Sequence, residues 1–132
     1  MFTTAPKSNT DAIMSIGANA FDVTSVATGA ATLTTDQFIN GVYIQTGTPG
    51  AVTKTTPTAA AIVAAIIGCV VGSTFEFIFD NGGNGIVTIA AGTGVTLSGT
   101  ATVGIAKNRR FTGVVTNVAS PAVRVICGAE LA

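Results

Sequence analysis

The chain contains no histidine and no tryptophan, and only six basic and six acidic residues among 132. Histidine is the side chain that most readily gains or loses a proton near pH 7, so the commonest general acid or base is missing. Serine, threonine and cysteine are present, but no imidazole can activate them as nucleophiles. Glu76 and Asp80 fall on one face of an expected strand. Their Cα atoms would stand about 13 Å apart along it, too far for the facing carboxyls of a glycosidase. An enzyme is not expected.

Other absences narrow the range further. The net charge is zero, so no basic face advertises a nucleic-acid partner. The longest uncharged run, Thr55 to Phe75, has a continuous apolar part from Ala59 to Val71. That part is shorter than the roughly 18–20 residues a spanning helix needs, and Pro57, Gly68 and Gly72 punctuate the run. No membrane span is expected. The first residues lack the charged start and apolar core of a secretory signal, so the chain is expected to fold where it is made. Cys69 and Cys127 have no CxxC spacing; buried free thiols are expected, with a disulfide only if the fold brings them together.

Sequences that could hold a ligand fail in detail. The Gly92-Thr93-Gly94 stretch has no following GK[ST] and misses the GxGxxG spacing, which leaves a tight turn. Asp80, Asn84 and Gly85 have the flavour of a calcium loop. However, Gly82 offers no side-chain oxygen at the third position, and Ala91 stands where a bidentate glutamate belongs. No metal, cofactor or small-molecule substrate is expected.

What the chain has in quantity is apolar and small. Hydrophobic residues make up 48% and glycine occurs 16 times. Low charge with this much apolar content is poorly suited to a free monomer, and points to a surface covered in an assembly. Function should therefore lie in shape and contacts.

The pattern reads as one domain, 21–132, behind an extended N-terminal arm, 1–20. Thr34 and Gln37 have capping-box spacing, with Leu33 and Phe38 placed as a hydrophobic staple, so a short helix is expected there, ended by Asn40-Gly41. Gly47 to Pro57 reads as a loop. A second helix is expected near 57–67, capped by Thr56 with Pro57 as its first residue and Gly68 just past its end. Its apolar face would be Ala59, Ile62, Val63 and Ile66. Ser73 to Asp80 is a strand with Phe75, Phe77 and Phe79 on one face. Asp80 to Gly85 and Lys107 to Arg110 read as turns, and short strands are expected at Ile86–Ala91, Val95–Ser98, Ala101–Ala106, Phe111–Val118 and Ala122–Cys127. Strands at this spacing indicate a mainly β sandwich or barrel, and the expected fold is a single-domain antiparallel β-sandwich. No internal repeat of solenoid type is visible.

The segments LTTDQFINGVYI (Leu33–Ile44), TPTAAAIVAAI (Thr56–Ile66), VGSTFEFIFDN (Val71–Asn81), AAGTGVTLSGT (Ala90–Thr100) and RRFTGVVTNV (Arg109–Val118) occur in an order that resembles small decoration or cement proteins of tailed-bacteriophage capsids. The similarity covers roughly residues 33–127. It implies a jelly-roll-like β-sandwich forming homotrimers on the outer capsid surface, bound to the major capsid protein, in a virion assembled in the host cytoplasm. It carries no catalytic residues. The candidate contacts with the capsid or a neighbouring subunit are Phe2, Lys7, Ile13, Met14 and Ile16 in the arm, and the basic cluster Lys107, Arg109 and Arg110. The alternatives are a module of a tail fibre or spike that binds a host glycan, with Tyr43 as the polar aromatic to test, and a non-viral adhesive or surface-coat protein.

Overall fold

In a computed structural model of the chain, residues 21–132 are described. The elements run β1 (Asp22–Val26), β2 (Ala31–Thr32), α1 (Thr35–Phe38), β3 (Gly41–Gln45), β4 (Val52–Thr55), α2 (Ala59–Ala65), β5 (Thr74–Asn81), β6 (Val87–Ala90), β7 (Val95–Ser98), β8 (Thr102–Val103), β9 (Lys107–Asn117) and β10 (Ala122–Leu131). The chain is a single, mainly β domain. A six-stranded sheet has the order β1-β3-β5-β9-β10-β7, and a four-stranded sheet the order β2-β4-β6-β8.

The pairing is mixed, which corrects the expected antiparallel jelly roll. Pairs β1–β3, β3–β5, β2–β4, β4–β6 and β7–β10 are parallel. Pairs β5–β9, β9–β10 and β6–β8 are antiparallel. Parallel neighbours need a crossover. Here the crossover from one strand of the large sheet to the next passes through a strand of the small sheet. Strands β1 to β6 therefore wind as three stacked coils, each giving one strand to each sheet. The later strands finish both sheets: β8 closes the small one, and β9, β10 and β7 extend the large one. The coils differ in length because loops and helices of different size interrupt them. No fixed sequence period survives, and a repeat is invisible in the sequence.

The local signals mostly hold. Thr34 caps α1, its Oγ1 accepting from Gln37 N at 3.2 Å while Gln37 Oε1 accepts from Thr34 N at 2.9 Å. Leu33 and Phe38 are both buried, and Asn40 ends the turn with φ 53°. Helix α2 buries Ala59 and Ile62, with Val63 and Ile66 half-buried against the core. Its cap is Thr58, not Thr56: Thr58 Oγ1 accepts from Ala61 N at 3.1 Å. Thr56 is buried instead, accepting from Gly92 N and donating to Pro57 O, both at 2.9 Å. The residue after the helix end, Ile66, is extended, and Gly68 with φ 67° lies further out.

Two segments read as loop or turn are strands. Val52–Thr55 pairs on both sides within the small sheet. Lys107–Arg110 opens β9 and pairs with β5 from Asn81 back to Ile78. Strand β10 also continues past Cys127, across a register shift, to Leu131.

The inward residues of both sheets form one core. Phe77 is its centre, with ring centroids 4.9 Å from Phe38, 5.6 Å from Phe111 and 6.2 Å from Phe79. Offset and edge contacts at these separations add to the burial of each ring. Gln45 and Asn81 are fully buried at the ends of β3 and β5, and Lys54 is fully buried inside β4. Gln45 Nε2 donates to Val26 O, Thr28 O and Thr46 O. Asn81 Nδ2 donates to Gly85 O, Val103 O and Gly104 O, while its Oδ1 accepts from Gly83 N. Lys54 Nζ donates to Thr28 O and Gly29 O and sits 5.2 Å from the centroid of the Tyr43 ring. These side chains donate to backbone carbonyls, most of them in the connections between strands.

Candidate functional site

Several of the charged side chains are engaged by partners within the fold. Arg109 is 7% exposed and points inward from β9. Its Nε donates to Thr102 O at 2.9 Å, a terminal nitrogen donates to Gly128 O, and Nη2 lies 3.9 Å from Glu130 Oε2. Glu130 also accepts from Gly104 N and lies 3.9 Å from Lys107 Nζ. Arg110, on the opposite face of β9, points outward and meets Glu76 at 2.6 Å. The expected basic cluster is thus divided by strand alternation: Lys107 and Arg109 serve Glu130, and Arg110 serves Glu76. Arg109 is removed from the surface altogether. Phe2, Lys7, Ile13, Met14 and Ile16 lie outside the described residues.

Tyr43 is also interior, 2% exposed and stacked on Phe79 at 5.2 Å. Its buried ring is not available to stack on a sugar. Cys69 and Cys127 are free thiols, half-buried rather than fully buried. Burial pushes the Cys127 thiol above its ordinary range, with the Arg109 charge opposing. Among the described residues, no three of Asp, Glu and Cys gather as a metal site, and no helix is long and apolar enough to cross a membrane. The Asp80–Gly85 segment works as a connection: Asn84 Oδ1 accepts from Gly50 N at 2.7 Å and ties this turn to the β3–β4 loop.

The feature that stands out is the outer face of the large sheet. In β3, Gly41, Tyr43 and Gln45 point inward, so Val42 and Ile44 point outward. In β5 the phenylalanines point inward and Glu76, Ile78 and Asp80 outward. The register places Val23 beside Val42, Val42 beside Ile78, and Ile78 beside Arg110. Three aliphatic side chains therefore form a continuous outward row across β1, β3 and β5. The row ends at β1, where Val23 is 65% exposed and the strand has a partner on one side only among the described residues. Ile44 lies in the next row and Ile126, 49% exposed, lies further along the same sheet. Flanking this row are Arg110 and Glu76, which are paired, and the carboxylate of Asp80. Around this row the face is mostly aliphatic, with one ion pair and one further carboxylate at its margin. It can adhere, by removing aliphatic surface from water.

Sequence reasoning missed Val23, Val42 and Ile78. A signal existed: Val42-Tyr43-Ile44 and Phe77-Ile78-Phe79 are apolar on both strand faces, the pattern of strands covered on two sides. That the three residues line up depends on parallel register between distant strands, which the pattern alone does not supply.

Compared with known protein-family models, curated proteins and solved structures, the chain matches none.

Proposed function

We propose that the chain is a structural virion protein. In this reading it is a decoration or cement protein that binds the outer surface of a tailed-phage capsid as a homotrimer and ties neighbouring major-capsid subunits together. The observation that carries an adhesive role is the outward aliphatic row Val23–Val42–Ile78, which ends at an edge strand. The neutral net charge and low charge content fit the same role, since contacts would then rest on apolar surface. The mechanism is additive burial of small apolar patches repeated by symmetry, with avidity from several simultaneous contacts.

The test is copy number in purified particles, by quantitative mass spectrometry against the major capsid protein. Hundreds of copies in a simple ratio to capsid subunits are expected. Absence from particles overturns the virion reading, and a few dozen copies move the protein to the tail or a vertex. Light scattering on the isolated chain supplies the second readout. A trimer has three times the 13.0 kDa chain mass.

A further inference from the structure

We infer that copies of this chain meet through the outer face of the large sheet, with Asp80 of one copy set on Arg124 of the next. The inference deepens the self-association in the proposed function and rests on that part of it; it needs no capsid.

The charges on this face select a second copy as the occupant. Glu76 and Asp80 point outward from β5, Arg110 from β9 and Arg124 from β10. Glu76 and Arg110 neutralise each other at 2.6 Å. The other two stand apart. Asp80 is flanked in register by Ile44 and Asn108, and Arg124 by Val114 and Thr96, so neither has a charged neighbour directly across the strands. Arg124 donates to the Ser98 hydroxyl at 2.6 Å, a contact that orients the guanidinium without neutralising it.

The register fixes how these charges are spaced. Asp80 lies opposite Asn108 of β9, and Arg124 opposite Val114. Six residues along β9 and two strand spacings separate them by about 22 Å, far beyond an ion pair within one chain. Between them, on either side of β9, are Ile78 opposite Arg110 and Ile126 opposite Thr112. The face thus runs from an acid through aliphatic residues to a base. Laid against a second copy, its acidic end meets the other's basic end, and the aliphatic middle leaves water. A shifted or reversed contact would bring like charges together, so the two ends also set the orientation. Six strands about 4.8 Å apart and about 20 Å long give roughly 600 Å² before side-chain relief. That is near the ~800 Å² each partner contributes to a stable interface.

Sedimentation velocity on full-length chains tests it. Asp80→Arg and Arg124→Asp should each raise the concentration for half-assembly at least ~10-fold. The double exchange Asp80→Arg/Arg124→Asp should recover most of that loss, because the pair is then restored between copies with its signs swapped. Both losses should shrink in ~0.5 M salt, where exposed charges are screened. Arg124→Gln keeps a donor for Ser98 and should weaken assembly in the same direction with an unchanged urea midpoint, which separates lost pairing from a loosened β7–β10 edge. Single reversals without effect, or a double exchange no better than the worse single variant, would overturn the proposal. If the parent forms trimers in either case, the homotrimer stands and only this interface is wrong. A parent chain that is monomeric at every concentration overturns both.

Discussion

Gly113 sits opposite Phe75 in the β5–β9 ladder, and the Phe75 ring occupies the space where a side chain would begin. A Cβ added to Gly113 would overlap the ring tip and stand 2.5 Å from both Cε atoms. Gly113→Ala must therefore displace a ring that is 4% exposed and packed edge-on against Phe38 at 5.4 Å. Losing most of that burial costs about 1.5–3 kcal/mol. Losing the aromatic pair adds about 0.5–1.5 kcal/mol. Alanine recovers about 0.5–1 kcal/mol through its lower backbone entropy in a strand. The net is a destabilisation of about 2–3 kcal/mol, or a fall of roughly 1–2 M in the urea midpoint. Far-UV circular dichroism should follow the transition, since the chain has no tryptophan to report it. The double variant is the decisive one. Phe75→Ala alone should cost about 3–5 kcal/mol. Adding Gly113→Ala to it should cost nothing further, because the space is then empty, so the two sites should couple by about 2 kcal/mol or more. Costs that simply add, or a Gly113→Ala variant within about 0.5 kcal/mol of the parent, would refute this account of the strand pair.

Other perturbations probe other parts. Replacing Val23 by lysine and Val42 by glutamate breaks the outward aliphatic row while placing opposite charges on neighbouring strands at exposed and half-exposed positions; self-association should fall by light scattering with the urea midpoint nearly unchanged. Lys54→Ala should cost about 3–5 kcal/mol, by emptying a fully buried site and leaving the Gly29 carbonyl without its donor, and Lys54→Met should recover part of it by refilling the stem; equal midpoints for the two would contradict that division. Cys127 sets a pH dependence: its folded pKa is raised by burial, with Arg109 lowering it in part, so its contribution is complete below the unfolded pKa and is lost as pH rises through the folded value. Stability should therefore decline on the alkaline side of the thiol range, and less steeply in Cys127→Ala; identical alkaline profiles would rule the thiol out as the cause.

Features set by a few neighbouring residues were legible in the sequence. The Thr34–Gln37 capping box, the Ala59–Ile62–Val63–Ile66 face and the Phe75–Phe77–Phe79 alternation all come from near neighbours along the chain, and all hold. Features set by distant neighbours were not. Hydrophobic alternation specifies which face of a strand is inside but not the direction of its partner, so parallel stacking went unseen. Strand β4 was disguised because one of its two inward positions is Lys54, a charge at a core site, and because Pro49, Gly50 and Pro57 flank it. The start of β9 was disguised in the same way. Lys107 to Arg110 looked like a solvated turn, yet Arg109 points inward because Gly128 O, Thr102 O and Glu130 give its guanidinium partners. Polar residues in strand interiors defeat pattern reading wherever the fold satisfies them.

The position of β9 in the chain bears on synthesis. It is the second-last strand to be made, yet it lies between β5 and β10 and brings Phe111 onto Phe77. A nascent chain that has emerged only as far as residue 106 holds all three coils but lacks that partner. Its β5 edge is unpaired and Phe77 and Phe79 miss one wall of their enclosure. The wait for the last fifth of the chain is therefore the interval of greatest aggregation hazard, when an unpaired strand edge beside aromatic surface can capture another nascent copy.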